Sequence, residues 1–311
     1  MSRDFRVLSK TLTQIENRGP KSLELLKDIY KKRRGTPILG ITGLPGAGKS
    51  TLVDQLIQLL RQQNQTVGVI AVDPSSPFSG GALLGDRVRM QRHATDEGVF
   101  IRSLGSRGAR GGLSRATREL ALCFDSFGFD QIFIETVGVG QSELDIMGLA
   151  TTTVVVLVPE AGDTIQTIKA GLMEIADIFL VNKADREGAN GMQTMLKAML
   201  SMDSSKKNWE VQVLLTQANK GEGVDMLWQK IEEHREALKK NPDQEKKQQA
   251  IRREQFLDLC GETFKQQIRD RLLQDKNWKK FVKKVEEEEL NPYEALEKIL
   301  LVAGGGVEPP T

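Results

Sequence analysis

A chain of 311 residues with 39% apolar content has material for one large domain with appendages, or for two small ones. Its 44 basic and 42 acidic residues leave a formal charge of +2, so bulk electrostatics point to no nucleic acid or other polyanionic partner. Only Cys123 and Cys260 carry thiols, far apart in the chain. That excludes a disulfide framework, argues against a structural zinc site, and fits a reducing cytoplasm.

Residues 1–35 are helical in pattern and end in the basic run YKKRRG, with no signal-type apolar core. From 36 to 240 short β-branched runs alternate with helical patterns: ILGIT, VGVIAVD, VFIRSL, QIFIET, TVVVLVP, IFLVN and VQVLLT. Most are apolar throughout, as strands of a parallel sheet buried on both faces should be. Between them, Ser50–Gln62 lines up Leu52, Val53, Leu56, Leu59 and Leu60 on one helical face. The expected fold is α/β, a doubly wound, mostly parallel sheet with a helical N-terminal extension and a helical C-terminal arm. The arm spans 241–302, with its last helix near Asn291-Pro292, and the tail AGGGVEPPT, 303–311, is expected to be disordered. The helical flanks read equally as dimerisation or partner arms and as helices packed on their own core. No stretch reaches membrane-spanning length, so the expectation is a soluble cytoplasmic protein.

The run GITGLPGAGKSTL carries the chemistry. Gly43-x4-Gly48-Lys49-Ser50 is a P-loop with a strand before it and a helix after it. Through Gly43, Pro45, Gly46, Ala47, Gly48 and Thr51 the backbone can wrap phosphates at a helix N-terminus. Lys49 would reach the β and γ phosphates, and the Ser50 hydroxyl would ligate Mg2+. The stretch is a nucleoside triphosphate site.

Asn182-Lys183-Ala184-Asp185, an NKxD sequence, closes the sixth strand. Asp185 can accept from guanine N1–H and the 2-amino group, a donor pair that adenine lacks. After the seventh strand, Gln217, Ala218 and Asn219 stand where a GTPase usually offers backbone contacts to guanine O6. Serine is the more usual residue at Gln217, so only its backbone role is expected to survive. The expected ligands are GTP or GDP with Mg2+.

The fourth strand ends in Glu135-Thr136-Val137-Gly138, a D/E-x-x-G switch with an acid for Mg2+ and a glycine N–H for the γ-phosphate. Val139 follows where many GTPases carry the glutamine that orients water, and Gln141 is displaced, so slow hydrolysis is expected without a partner. Asp73, ending the second strand, and Asp86, in GGALLGDRVRM, read either as groups that approach Mg2+ or as cap and turn residues. The stretch SLGSRGARGGLSRATRE, with Arg107, Arg110, Arg115 and Arg118, reads as a partner-facing or simply solvated basic loop.

Together GITGLPGAGKST, AVDPSSPFSGGALLGDRVRM, IETVGVGQSE, AGDTIQTIKAGLMEIAD and VNKAD resemble the MeaB/ArgK-type GTPases, the methylmalonyl-CoA-mutase-associated branch of the metallochaperone-like P-loop GTPases. The resemblance runs from residue 1 to about 300 and is strongest over 38–185. It implies a homodimeric G-protein chaperone that gates cofactor loading, protection and reactivation of an adenosylcobalamin-dependent acyl-CoA mutase. It sets Lys49, Ser50, Asp73, Asp86 and Glu135 on phosphate and Mg2+ positions, and Asn182 and Asp185 on guanine positions. It also sets Lys169 on a lysine that couples nucleotide state to the mutase; read without the family, Lys169 is an ordinary helical lysine.

Three other readings compete. A nickel-insertion metallochaperone needs His/Cys clusters, but His93 and His234 are the only histidines and neither has a cysteine close in sequence. An ATP-dependent kinase linked to amino-acid transport is opposed by NKxD and by the missing HRD and DFG signatures. A non-catalytic GTP-holding scaffold is opposed by the intact switch acids.

Overall fold

The computed structural model describes residues 4–19, 21–73, 91–93, 95–105, 115–136, 146–159, 171–202, 209–274 and 276–305. The chain divides into two compact units, Met1–Gln244 and Glu245–Thr311.

In the first unit all seven expected strands form: β1 (Ile38–Gly43), β2 (Val67–Asp73), β3 (Val99–Gly105), β4 (Gln131–Thr136), β5 (Thr152–Leu157), β6 (Ile178–Asn182) and β7 (Gln212–Thr216). They pair in the order β3-β2-β4-β1-β5-β6-β7, every pair parallel. Helices cover both faces, so the interior strands β4, β5 and β6 are buried along their whole length. Strand periodicity divides the side chains. Leu39, Ile41, Phe133, Val154 and Val156 face α3 (Lys49–Gln62), which packs there with Leu52, Leu56 and Leu60.

The opposite face receives the N-terminal extension. Helix α1 (Phe5–Glu16), N-capped by the Asp4 carboxylate, buries Leu8, Leu12 and Ile15 against Ile70, Ile132 and Ile134. It shares that layer with α4 (Arg115–Phe127), which supplies Leu120 and Phe124, while α2 (Ser22–Lys31) has no buried residue. Arg102 of β3 pairs with Glu16, and Glu119 of α4 takes both Arg18 and Arg115. For α1, then, the extension is core packing of its own domain.

Strand β7 is an edge, and α5 (Ala189–Ser201) lies along it. The Gln193 amide donates to the Val213 carbonyl at 2.9 Å, satisfying one backbone group of an otherwise open edge. Helix α6 (Val224–Lys239) closes the first unit by packing Leu227 and Ile231 beside α3.

The second unit is helical. Helix α7 (Gln244–Gln274) has no buried residue and exposes Phe256, Phe264 and Ile268. Helix α8 (Lys276–Glu286) sets Trp278 and Phe281 edge to face, with ring centroids 5.7 Å apart, over Ala295 of α9 (Pro292–Gly305). Ala303, Gly304 and Gly305 thus continue a helix where the sequence led us to expect the disordered tail to begin. No described helix is long and apolar enough to cross a membrane.

Candidate functional site

The site stands at the carboxyl ends of β1, β4, β6 and β7, where an open parallel sheet presents its βα turns. Gly43 ends β1 with φ 130°, and a Cβ there would collide with the carbonyl oxygen of Val156 on the neighbouring strand. Gly48 has φ 88°, and a Cβ on it would strike the Asn182 amide nitrogen. Helix α3 opens directly after, and its N-cap is this glycine, which has no side chain to cap the turn. A glycine-led helix start of this kind is suited to an anion.

Lys49 is buried and its ammonium donates to the carbonyls of Gly43, at 2.7 Å, and Leu44, at 2.9 Å. The cation is held across the loop by the loop's own backbone. Ser50, equally buried, donates its hydroxyl to Glu135 Oε1 at 2.7 Å. Strand parity explains the meeting: Glu135 lies two residues beyond Phe133 and shares its α3-facing side. On the other face Thr136 donates to Thr42 at 2.8 Å, tying β4 to β1 beside the P-loop. Within the loop Ala47 is buried, whereas Pro45, Gly46 and Thr51 are exposed.

Asn182 joins this loop to the next two. Its amide donates to the Ala47 carbonyl at 2.8 Å; its carbonyl accepts from Ala218 N–H at 3.0 Å and from the Thr216 hydroxyl at 3.2 Å. Lys183 adopts a left-handed φ of 58° and donates to the Gly46 carbonyl at 2.9 Å. Ala184 N–H donates to Thr216 O, and Gln217 N–H donates to Glu222 O, both at 3.0 Å, so the loops after β6 and β7 form one platform. Asp185 and Asn219 are exposed on it.

Of the remaining expected residues, Asp73 closes β2, one position beyond the Val72–Thr136 register pair, and its side chain lies outside the described residues. Asp86, Gly138, Val139, Gln141 and Lys169 lie outside them altogether, as do Arg107 and Arg110. Arg115 belongs to α4, where its guanidinium pairs with Glu119 at 2.8 Å. Sequence reasoning missed Thr42 and Thr216; their polar side chains at strand ends next to recognised motifs were the available signal.

The family described as "Methylmalonyl Co-A mutase-associated GTPase MeaB" matches residues 8–275. A protein of Pyrococcus abyssi designated a GTPase is 44% identical, over 98% of this chain and 95% of its own. GTPase ArgK of Escherichia coli K12 is 34% identical, over 88% and 84% respectively. The mouse protein named "Methylmalonic aciduria type A homolog, mitochondrial" is 36% identical over 68% of this chain and 52% of its own. Among solved structures, a crystal structure described as an LAO/AO transport system kinase superposes with TM-score 0.69 at 27% identity, covering 97% of this chain and 94% of that one.

Proposed function

The chain belongs to the MeaB family of methylmalonyl-CoA mutase-associated GTPases, and from that premise we propose a Mg2+-dependent GTPase that gates adenosylcobalamin handling by an acyl-CoA mutase. The observation that carries the nucleotide reading is the Asn182 bridge, which fastens the loop of Lys49 and Ser50 to the two loops that hold Asp185 and Ala218. A triphosphate over the first turn of α3 would meet the Lys49 ammonium, already aimed by the Gly43 and Leu44 carbonyls. Guanine would set its N1–H and amino group against Asp185, over backbone N–H groups of 217–219.

The residues fit Mg2+. Ser50 and Glu135 offer a hydroxyl and a carboxylate 2.7 Å apart in a buried setting, oxygen donors of the kind a small hard cation prefers beside phosphates. Asp73 and Asp86 join them by family position. Bound Mg2+ would neutralise charge building on the β–γ bridging region. Glu135 would accept the Ser50 proton contact or release it as the hydroxyl turns toward the cation. With Val139 at the usual glutamine position, turnover of the isolated protein is slow and the mutase completes the site.

Lys169 is the residue we assign to that coupling, and the exposed Phe256, Phe264 and Ile268 of α7 are the surface we assign to homodimerisation. The test is phosphate release with GTP and with ATP, each with and without an adenosylcobalamin mutase. GTP-selective release that rises with the mutase supports the proposal. ATP-selective release favours an ATP-dependent activity instead, and GTP binding without release a scaffold.

A further inference from the structure

Strand β7 ends the sheet, and a cavity of about 740 Å3 lies along it. One wall is a single face of α5, with Gln193, Lys197 and Leu200 at helical spacing. The other is the strand and its lead-in, from Trp209 to Leu214. Met226 of α6, a helix packed on the opposite face of the sheet, completes the lining and is half exposed. Trp209 is a fixed part of its wall. Its indole N–H donates to the Asp177 carbonyl at 2.9 Å, and its ring lies 4.9 Å from that of His234.

Backbone direction decides what such a cavity can hold. The Thr216 carbonyl points inward, accepting from Ala184 N–H just past β6, and the Val213 carbonyl points outward, accepting from the Gln193 amide. Groups two residues apart point the same way, so the N–H of Val213 and both backbone groups of Val211 turn away from β6. The Gln193 amide already does at Val213 what an incoming main-chain N–H would do. Gly223 stops the edge at its far end, where a Cβ would lie 2.6 Å from the Leu215 carbonyl. Between these limits the edge is open and walled by apolar side chains, the arrangement that accepts another strand.

Charge narrows the occupant. Lys197 and Glu210 both line the cavity and are exposed, and neither enters an ion pair with another described residue. The volume is that of a ligand-sized site, well short of a folded partner's face. We propose that the outer edge of β7 is a docking groove for an extended peptide segment of a partner protein. A segment of about five residues adds as a further strand, its apolar residues alternating with an acid near Lys197 and a base near Glu210. Main-chain bonds to Val211 and Val213 supply the affinity; the apolar walls and the two charges supply the choice. None of these residues belongs to the nucleotide site, and docking needs no GTP.

The experiment follows fluorescence anisotropy of acetylated, dye-labelled hexapeptides titrated with the full chain. In the first peptide valine alternates with both glutamate and lysine, in the second with glutamate alone, in the third with lysine alone. A fourth repeats the first with a central valine replaced by proline. Wild type should bind the mixed peptide saturably and the proline peptide about tenfold more weakly, because proline lacks the ladder donor. Lys197→Glu makes both flanks acidic and should shift preference toward the lysine peptide by about twofold to fivefold. Glu210→Lys should shift it as far toward the glutamate peptide. The proline comparison needs no variant, so it stands even if one fails to fold. No saturable binding by the wild type, equal binding of the proline peptide, or a preference that neither reversal moves would each overturn the proposal. Unbound peptides together with self-association that Lys197→Glu abolishes would give the edge to a second copy instead.

Discussion

Asn182 donates to the carbonyl of Ala47 across 135 residues of sequence, and with that bond the loop after β1 and the loops after β6 and β7 become a single object. Removing it should be felt on both sides. Asn182→Ala deletes three hydrogen bonds at buried atoms, so stability should fall by about 1–3 kcal/mol and GDP affinity by more than tenfold. Denaturant unfolding beside GDP titration checks this; wild-type values in both would show that the bridge is dispensable.

On the function proposed above, base choice rests on the exposed carboxylate of Asp185. Replacing Asp185 by Asn should transfer preference from guanine to xanthine nucleotides, because the 2-oxo group of xanthine accepts where the 2-amino group of guanine donates. Competition between GDP and XDP measures it. Equal affinity of the wild type for GDP and ADP would refute the role of Asp185.

The triphosphate end separates binding from turnover. Lys49→Ala should abolish productive GTP binding, whereas Glu135→Ala should slow hydrolysis more than it weakens GDP binding, since the Ser50–Glu135 pair serves the state with γ-phosphate and Mg2+. If Glu135 holds Mg2+ as proposed, titrating Mg2+ in the hydrolysis assay of Glu135→Ala should reveal a raised metal requirement. Unaltered metal dependence would count against the assignment.

Gly43 is a backbone requirement. With φ at 130° and the Val156 carbonyl where a methyl would sit, Gly43→Ala should cost about 3 kcal/mol or more of stability. Chemical denaturation decides, and a loss under about 1 kcal/mol would mean that the β1–β5 pair can part without strain.

The Arg61 guanidinium holds the Asp96 carboxyl below its ordinary value, reinforced by the Gly98 N–H and opposed by partial burial. A depressed carboxylate stabilises the folded chain above its unfolded pKa and loses that contribution as pH falls through the folded one. Asp96→Asn should therefore be less stable than wild type at neutral pH by about 0.5–1 kcal/mol, with the gap closing as the pH falls below the ordinary carboxylate range. Melting curves from pH 2 to 7 test the sign; a gap that widens toward acid would reverse it.

Much of this was legible in the residues. The seven strands announced themselves because both faces of a parallel sheet are buried, which turns VGVIAVD or TVVVLVP into continuous apolar runs that no amphipathic helix produces. Lys49, Ser50 and Glu135 stood out because the P-loop and switch patterns ask for those residue types at those spacings, and the fold brings the Ser50 hydroxyl onto Glu135. What the sequence hid was pairing. Nothing local tells that Asp54 faces His93 or Arg61 faces Asp96, since each pair joins a helical face to a stretch that only the fold brings beside it. Asn182 was legible as a motif residue, but its role as a tie was not, because the carbonyl it grips, Ala47, belongs to backbone and leaves no trace in residue type. Nor could the apolar stripe of α1 say whether it covers this chain or another.

That stripe has a consequence for how the protein is made. Leu8, Leu12 and Ile15 leave the ribosome before the surface that buries them, which is assembled from β2, α4 and β4, whose last contributors lie more than a hundred residues downstream. Until Ile132 and Ile134 have emerged and paired into the sheet, the nascent chain presents a bare amphipathic helix with no native surface to settle on. At ordinary elongation speeds of about 5–20 residues per second, that interval lasts many seconds. Chaperones that hold hydrophobic stripes would find a hold on this chain there, and fusing a bulky, slow-folding partner ahead of Phe5 would crowd the closing of the layer that α1 completes.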